Sequence, residues 1–279
     1  MTYAIKSDIH NHTLFSRHAY STIAENVAAA RAAGLEVLGS ADHFSPMLFP
    51  EQHIRNFQFF LNQGIWPRVW DGVTLLRGAE VDILGLDGRL FAQDIPCPEA
   101  IEGSPYRREQ SLFERATGNL DYLVASVHNS SFAEGASIAQ ATAMYTAVLE
   151  QPRVFVLGHT GRSGVAFDVD EVLTVAKERG KLIEINEHSL ERGLDSKVGH
   201  VCQHIAERCA ELGVGIAVSS DAHIACHIGR YPLAQTLLDQ IHFPQELIVN
   251  RDRASLIQAL VSSGVCDLTE LLEHDEAAE

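Results

Sequence analysis

The stretch Asp8-Ile9-His10-Asn11-His12 ends the first apolar segment of the chain and decides how the rest is interpreted. Alternate side chains of an extended segment point to one face. Asp8, His10 and His12 therefore share a face at the end of a predicted strand. A similar pattern closes the chain, where Asp221-Ala222-His223 follows an apolar segment. Two such strand ends, far apart in sequence, indicate one site that the fold brings together.

Short apolar segments alternate with amphipathic ones along the whole chain, which is typical of parallel strands covered by helices. The predicted strands are residues 3–9, 35–41, 73–81, 120–127, 153–157, 181–185 and 214–219. The predicted helices are residues 22–33, 51–62, 137–150, 169–179, 197–212, 229–240, 253–262 and 269–273. Caps and stops support several of these bounds, for example Thr22 with Glu25 at a start and Gly213 at an end.

Seven strand–helix units fit either a closed barrel or an open doubly wound sheet. We favour an α/β barrel, because metal-type side chains follow nearly every predicted strand, and only a barrel brings all these ends to one mouth. No linker divides the chain, so residues 1–279 are expected to form a single domain. Residues 84–118 form the longest irregular region, which we interpret as a hairpin plus an excursion at the rim, serving as a lid or a subunit contact.

Five further residues complete the candidate ligand set. His18 lies in the first loop, and His43, Glu80, His128 and His159 lie at or just past predicted strands. Each alone has an ordinary explanation, such as a hydrogen-bonded core histidine or a glutamate paired with Arg77. Together with His10, His12, Asp221 and His223 they make nine donors, and Asp8 is a candidate extra ligand. Nine exceed the needs of one four-coordinate ion and suit two or three divalent ions per chain, with Zn²⁺, Mn²⁺ and Fe²⁺ all compatible.

Other polar residues receive weaker predictions. Asp42 should serve a group other than the metal, since neighbours in a strand point apart. Asn186 should contact the site, and His188 and His227 lie near the mouth in sequence. The candidates for binding phosphate are Arg17, Arg162 and Arg230. The histidines expected on the surface are His53, His200, His204, His242 and His274.

Bulk properties limit the partners. The net charge of −16, with no run of basic residues, disfavours long nucleic acid. No apolar stretch has the length of a membrane span or a signal peptide, which predicts a cytoplasmic protein. Five scattered cysteines predict no disulfide framework. A small phosphorylated substrate remains compatible with the acidic charge, because bound cations would offset that charge locally. Assembly into a homo-oligomer is also compatible with the sequence.

These motifs resemble those of the PHP (polymerase and histidinol phosphatase) superfamily. The resemblance rests on Asp8-Ile9-His10-Asn11-His12-Thr13, Ala41-Asp42-His43 and Ser220-Asp221-Ala222-His223. The stretches 18–22 and 65–73 are similar to the YcdX-like phosphatase branch. The resemblance implies a distorted seven-stranded (β/α)7 barrel with a trinuclear site. One ion would use His10, His12, Glu80 and Asp221, a second His18, His43 and His223, and a third His128 and His159 with Glu80 bridging.

The predicted function is hydrolysis of a small phosphate monoester by a metal-activated hydroxide. We expect Asp221, His223 and His18 to act in catalysis as well as in metal binding. Three alternatives remain at this point. They are a phosphodiesterase or exonuclease on short nucleic acid, a histidinol phosphatase, and a non-catalytic metal-binding module.

Overall fold

The computed structural model describes residues 3–276, with side chains described up to residue 272. Nine strands form one sheet around a barrel interior. They are β1 (Ser7–Asp8), β2 (Val37–Ser40), β3 (His43–Phe44), β4 (Val69–Trp70), β5 (Val73–Asp82), β6 (Tyr122–Ser126), β7 (Val154–Leu157), β8 (Leu182–Asn186) and β9 (Ile216–Ser219).

Seven of these strands pair in parallel in the order β1-β2-β5-β6-β7-β8-β9. The two short strands both pair with β5, β3 in parallel and β4 antiparallel. The β3 register places His43 beside Glu80. In β8 and β9, the register pairs Asn186 with Ser219, so both strands end at the same level.

The sheet closes almost completely between β1 and β9. At the site end, His12 N donates to Ala222 O (2.9 Å) and Asp221 N donates to His10 O (2.8 Å). Farther down, the Asn250 side chain fills the seam, donating to Ser7 O (2.6 Å) and Val218 O (2.7 Å). The predicted distorted (β/α)7 barrel is confirmed.

Helices cover the outside of the barrel. They are α1 (Ile23–Ala32), α2 (Gln58–Asn62), α3 (Leu112–Thr117), α4 (Ile138–Leu149), α5 (Val169–Glu178), α6 (Glu187–Leu190), α7 (Lys197–Leu212), α8 (Pro232–Gln240), α9 (Arg253–Ser262) and α10 (Thr269–Glu276). Thr22 and Glu25 form the predicted capping box of α1, and Gly213 ends α7 with φ of +66°.

Tyr122 fixes the barrel interior beneath the site. Its hydroxyl donates to Ile9 O (2.6 Å), which lies just past β1 on the other side of the barrel interior from β6. The ring passes directly over Gly39 and Gly78, where a Cβ atom would collide with it. Glycine at these two strand positions is therefore what lets the tyrosine reach across and support the segment that carries His10.

The predicted helix 51–62 is wrong over most of its length, since only Gln58–Asn62 is helical. Ile54 and Phe57 are buried in an aromatic cluster with Phe44, and an irregular backbone places them there. The Asn56 side chain donates to Glu51 O (2.7 Å), which satisfies a carbonyl that a helix would otherwise have used.

Two other boundaries differ. Helix α8 begins at Pro232 rather than near Gly229, because proline favours the first helical position. Residues 84–118 contain the predicted hairpin, with Leu84 N donating to Arg89 O (2.9 Å), but also α3, which was not predicted. Ser111 and Glu114 form a capping box there, so the signal was present in the sequence.

Candidate metal centre

All nine predicted ligand residues converge at the C-terminal mouth of the barrel. His43 and Glu80 lie within β3 and β5, while the others follow strand ends or lie in the first loop. We call His10, His12, His43, Glu80, His159 and Asp221 the inner set, because each is at most 3% exposed. We call His18, His128 and His223 the outer set. The side chains of His128 and His223 are 20% and 25% exposed, and His18 is exposed.

Glu80 lies at the centre of the site. Its Oε1 is 2.8 Å from His159 Nε2, 3.2 Å from His128 Nε2 and 3.3 Å from His10 Nε2. Its Oε2 is 2.7 Å from His43 Nδ1. One carboxylate thus faces imidazoles from four separate segments, which is the arrangement expected of a group that bridges metal ions. The alternative partner considered for Glu80, Arg77, does not contribute to this cluster.

Asp221 lies beside His10, His12 and His223. Its Oδ1 lies 3.1 Å from His12 Nε2 and 3.6 Å from His10 Nε2. His223 Nδ1 contacts the Asp221 carbonyl oxygen at 2.9 Å. The His18 ring stacks between His43 and His223, with centroid distances of 4.9 and 4.8 Å.

Three groups of donor atoms are close enough to share an ion. The groups are His10, His12 and Asp221; His12, His43 and His223; and His43, Glu80 and His128. The first matches three of the four ligands that the family resemblance implies for one ion. The other two groups combine the implied ligands differently, because several imidazoles here are within reach of more than one position.

Charge compensation inside the site is strong. Burial alone would raise the pKa of Glu80, but the charges of His128, His10 and His43 hold it well below its usual range. Burial opposes the protonation of His128, but Glu80 and Asp82 raise its pKa to about 10. A protonated His128 supplies positive charge beside buried carboxylates, a role that bound cations would also fill.

The donor set fits divalent metal ions. His10 Nε2 and His43 Nδ1 are buried and make no hydrogen bond, although both face the Glu80 carboxylate. A buried nitrogen that lacks a hydrogen bond is costly, and coordination would satisfy it. Imidazole and carboxylate ligands without thiolate suit Zn²⁺, Mn²⁺ or Fe²⁺.

The candidate extra ligand Asp8 does not reach the cluster. Its carboxylate accepts from Ser220 Oγ (2.5 Å) and from Gly229 N (3.2 Å). It lies one strand step deeper than His10, where these donors satisfy it. Asp42 serves the loop, as expected, accepting from Thr13 N (2.8 Å) and Ser16 Oγ (2.7 Å).

Sequence reasoning missed two supporting carboxylates. Asp82 lies 2.7 Å from His128 Nδ1 and also accepts from Ser45 Oγ (2.7 Å). Glu184 lies 2.6 Å from His10 Nδ1. A signal existed for both, because Glu184 stands among apolar residues of its strand and Asp82 ends one, and a buried carboxylate needs a partner.

A cleft of about 650 Å³ opens above the ligands. Of the three candidate arginines, Arg162 lines this cleft, and its Nη2 donates to Asp221 Oδ2 (3.0 Å). Arg17 instead donates to Leu48 O (3.1 Å) and stacks on Phe49, and Arg230 is exposed outside the cleft lining.

The other predictions for the mouth hold. His188 and His227 line the cleft, and Asn186 Nδ2 donates to Asp221 Oδ2 (3.2 Å).

Within the described side chains, no residue of 84–118 lines the cleft, so that region does not act as a lid in this structure. The surface prediction is confirmed for His200, His204 and His242, while His53 is only partly exposed and lies 3.4 Å from Glu99 Oε1. His274 lies outside the described side chains. All five cysteines are free.

Comparison with known proteins places the chain in a family. The model of the PHP domain matches residues 8–188. A protein named "Probable phosphatase" from Clostridium acetobutylicum is 35% identical over 92% of this chain and 95% of its own length. Another of that name from Photobacterium profundum is 34% identical over 95% of this chain and 97% of its own. This chain belongs to the PHP domain family, and it groups with members named as phosphatases, so the predicted enzyme class is confirmed.

A solved structure supports the fold at low identity. The histidinol phosphate phosphatase from Lactococcus lactis, complexed with zinc, L-histidinol and phosphate, covers 86% of this chain and 94% of its own. The TM-score is 0.52 at 18% identity. In the part of this chain that the structure describes, no helix is both long and apolar enough to cross a membrane.

Proposed function

We propose that this protein is a metal-dependent phosphatase that hydrolyses a small phosphate monoester. The observation that carries the proposal is the convergence of nine residues with nitrogen or carboxylate donors, Glu80 at their centre, beneath an open cleft. The names of the relatives and the zinc and phosphate bound by the Lactococcus lactis protein support it.

The nine residues would hold two or three divalent cations per chain, of zinc, manganese or iron. Of the three groups of donors, His10, His12 and Asp221 are all buried, and Glu80, 3.3 Å from His10, would bridge to the neighbouring ion. Bound divalent cations lower the pKa of a coordinated water and neutralise charge on phosphate oxygens. The chain's own contribution is to fix the inner donors in a buried position, where electrostatic interactions are stronger than in water.

Arg162 is placed to bind the phosphate of the substrate. A guanidinium has five N–H donors, and the hydrogen bond to Asp221 uses one of them. The side chain is 29% exposed and lines the cleft beside His159 and Asp221. It is therefore both held in place by a ligand residue and open to an anion, and planar bidentate binding of phosphate is typical of arginine.

The rim of the cleft suits the organic part of a small molecule. Tyr20, Met47 and Ile224 line it and are 71%, 50% and 40% exposed. A cleft of about 650 Å³ is of ordinary size for a small ligand. Among the described residues that line the cleft, Arg162 is the one arginine or lysine, and the net charge of the chain is −16. The site therefore suits a monoester better than a long polyanion.

The test compares a chromogenic phosphate monoester with its matched diester, using protein loaded with Zn²⁺ or with Mn²⁺. His43→Ala removes an inner ligand, and His200→Ala is the matched control on the exposed face of α7. We expect monoester turnover that exceeds diester turnover, is lost in His43→Ala and persists in His200→Ala. Preference for the diester would favour the phosphodiesterase alternative, and no turnover on either substrate by the metal-loaded protein would contradict the proposal.

A further inference from the structure

Glu184 is a buried carboxylate, 4% exposed, whose hydrogen bonds reach two separate candidate ligands. Its Oε1 lies 2.6 Å from His10 Nδ1, and its Oε2 accepts from His159 N at 2.6 Å. Because an ionised carboxylate can only accept, His10 must donate through Nδ1. His10 Nε2 is then the nitrogen left to face Glu80 and Asp221, at 3.3 and 3.6 Å.

The hydrogen bond from His159 N to Glu184 holds an unusual backbone conformation. His159 has φ of +29° and ψ of +44°, a region that residues other than glycine rarely adopt. The hydrogen bond from its N–H to Glu184 lies at this point of strain and fixes the direction in which the ring leaves the chain. The ring then reaches Glu80 Oε1 at 2.8 Å.

The remaining contacts connect Glu184 to the last strand. Ser219 Oγ donates to its Oε1, and Asn186 Nδ2 donates both to its Oε2 and to Asp221 Oδ2, each at 3.2 Å. Asp221 also has a positive φ, of +53°. Glu184 and Asn186 lie two residues apart in β8 and point to the same face.

We propose that Glu184 is a positioning residue that fixes the nitrogen of His10 and the backbone of His159 that present these ligands to metal. The inference rests on the proposed function, because it assigns a role within the same site. It goes beyond that function in naming a residue that touches neither metal nor substrate. Mutation of a residue that hydrogen-bonds to a metal ligand in this way commonly weakens metal affinity by about 10–100-fold.

A glutamine at this position cannot satisfy the same donors. If its oxygen accepts from His10 and Ser219, its amide group faces the His159 N–H with a second donor. If its oxygen accepts from His159, its amide faces His10 Nδ1, and His10 can accept that bond only by moving its proton to Nε2. That proton would occupy the nitrogen that faces the metal position.

The experiment measures affinity for Zn²⁺ by competition with a chelator, in wild type, Glu184→Gln and Glu184→Asp. The aspartate keeps the charge but is one methylene too short to reach both partners. The matched control is Glu187→Gln, three residues along the chain. Glu187 is also buried, and it accepts from Leu233 N (3.0 Å) and Ala234 N (2.8 Å) at the start of α8, away from the ligands.

We expect the tightest-bound ion to be held about 10–100-fold more weakly in both Glu184 variants, with wild-type affinity in Glu187→Gln. Thermal unfolding of the metal-free proteins provides the second readout, and a purely structural role would change this readout alone. Wild-type affinity in Glu184→Asp, or an equal loss in Glu187→Gln, would overturn the inference. If wild type binds no Zn²⁺ at all, the proposed function itself fails, which is a different result.

Discussion

The inner and outer sets of candidate ligands are built in different ways. Inner ligands are almost fully buried, and carboxylates such as Glu184 accept hydrogen bonds from their imidazoles or their backbone. In the outer set, His18 and His223 are held by stacking on other imidazoles and by a backbone carbonyl. His128 is the exception, since Asp82 supports it. The contrast teaches that hydrogen bonds to buried carboxylates fix the deep part of the site, while ring stacking holds most of its exposed part.

The largest effect should follow from Glu80→Gln, which removes the charge that four imidazoles face. We expect kcat for a phosphate monoester to fall by roughly a thousandfold or more. Loss of a bridging ligand should exceed the roughly 10–100-fold effect of mutating a residue that only hydrogen-bonds to a ligand. Steady-state kinetics with a metal count on the same sample would measure this. Near-normal kcat with full metal content would show that Glu80 is not at the centre of the reaction.

A smaller effect is expected from His223→Ala in the outer set. Metal analysis should find the more weakly held ion reduced, with the inner ion retained, and activity should be lowered by about 10–100-fold. Raising the free metal concentration should restore part of the activity, because the inner ligands remain. If the variant instead loses all its metal, the division into inner and outer sets is wrong.

Arg162→Met tests the phosphate contact without removing a ligand. A hydrogen bond to a charged group contributes about 1.5–3 kcal/mol, so we expect KM to rise by about 10–100-fold. Arg17→Met is the control, because Arg17 stacks on Phe49 outside the cleft lining. An unchanged KM in Arg162→Met would assign phosphate binding to other groups.

The smallest effect concerns the opposite end of the barrel, where Lys181 precedes β8 and is 6% exposed. Burial lowers the pKa of this ammonium to about 8, so folding disfavours its charged form. The penalty is complete below pH 8 and is relieved as pH rises from 8 through the unfolded value near 10.5.

Lys181→Met should therefore melt at a higher temperature than wild type at pH 7, and the difference should narrow above pH 8. Metal content should stay at the wild-type value. Calorimetry across this pH range would measure the difference, and a gap that widens with pH would contradict the assignment.

Much of the fold was predictable because local signals agreed with the tertiary structure. Helices α7 and α9 match their predicted bounds, and all seven barrel strands were found, with bounds that differ by a few residues. The region around Ile54 and Phe57 was not predictable, because its backbone follows the packing of an aromatic cluster formed with distant residues.

The site shows the same division. Convergence of the nine candidate ligands followed from strand ends in a parallel barrel, where each end reaches the mouth. The sequence indicated that Glu184 needs a buried partner, but its partners His10 and His159 were not predictable, because they depend on distances across strands. Likewise, three arginines lie near ligands in sequence, and only the structure distinguishes Arg162 from Arg17 and Arg230.

The most direct test of the account is stepwise reconstitution of metal-stripped protein with Zn²⁺ or Mn²⁺. Metal bound per chain and monoester turnover would be measured at each step. The account predicts that stripped protein is inactive and that turnover rises until two or three ions are bound per chain. Full turnover without metal, or saturation of binding at two or three ions with no turnover on any monoester, would contradict it.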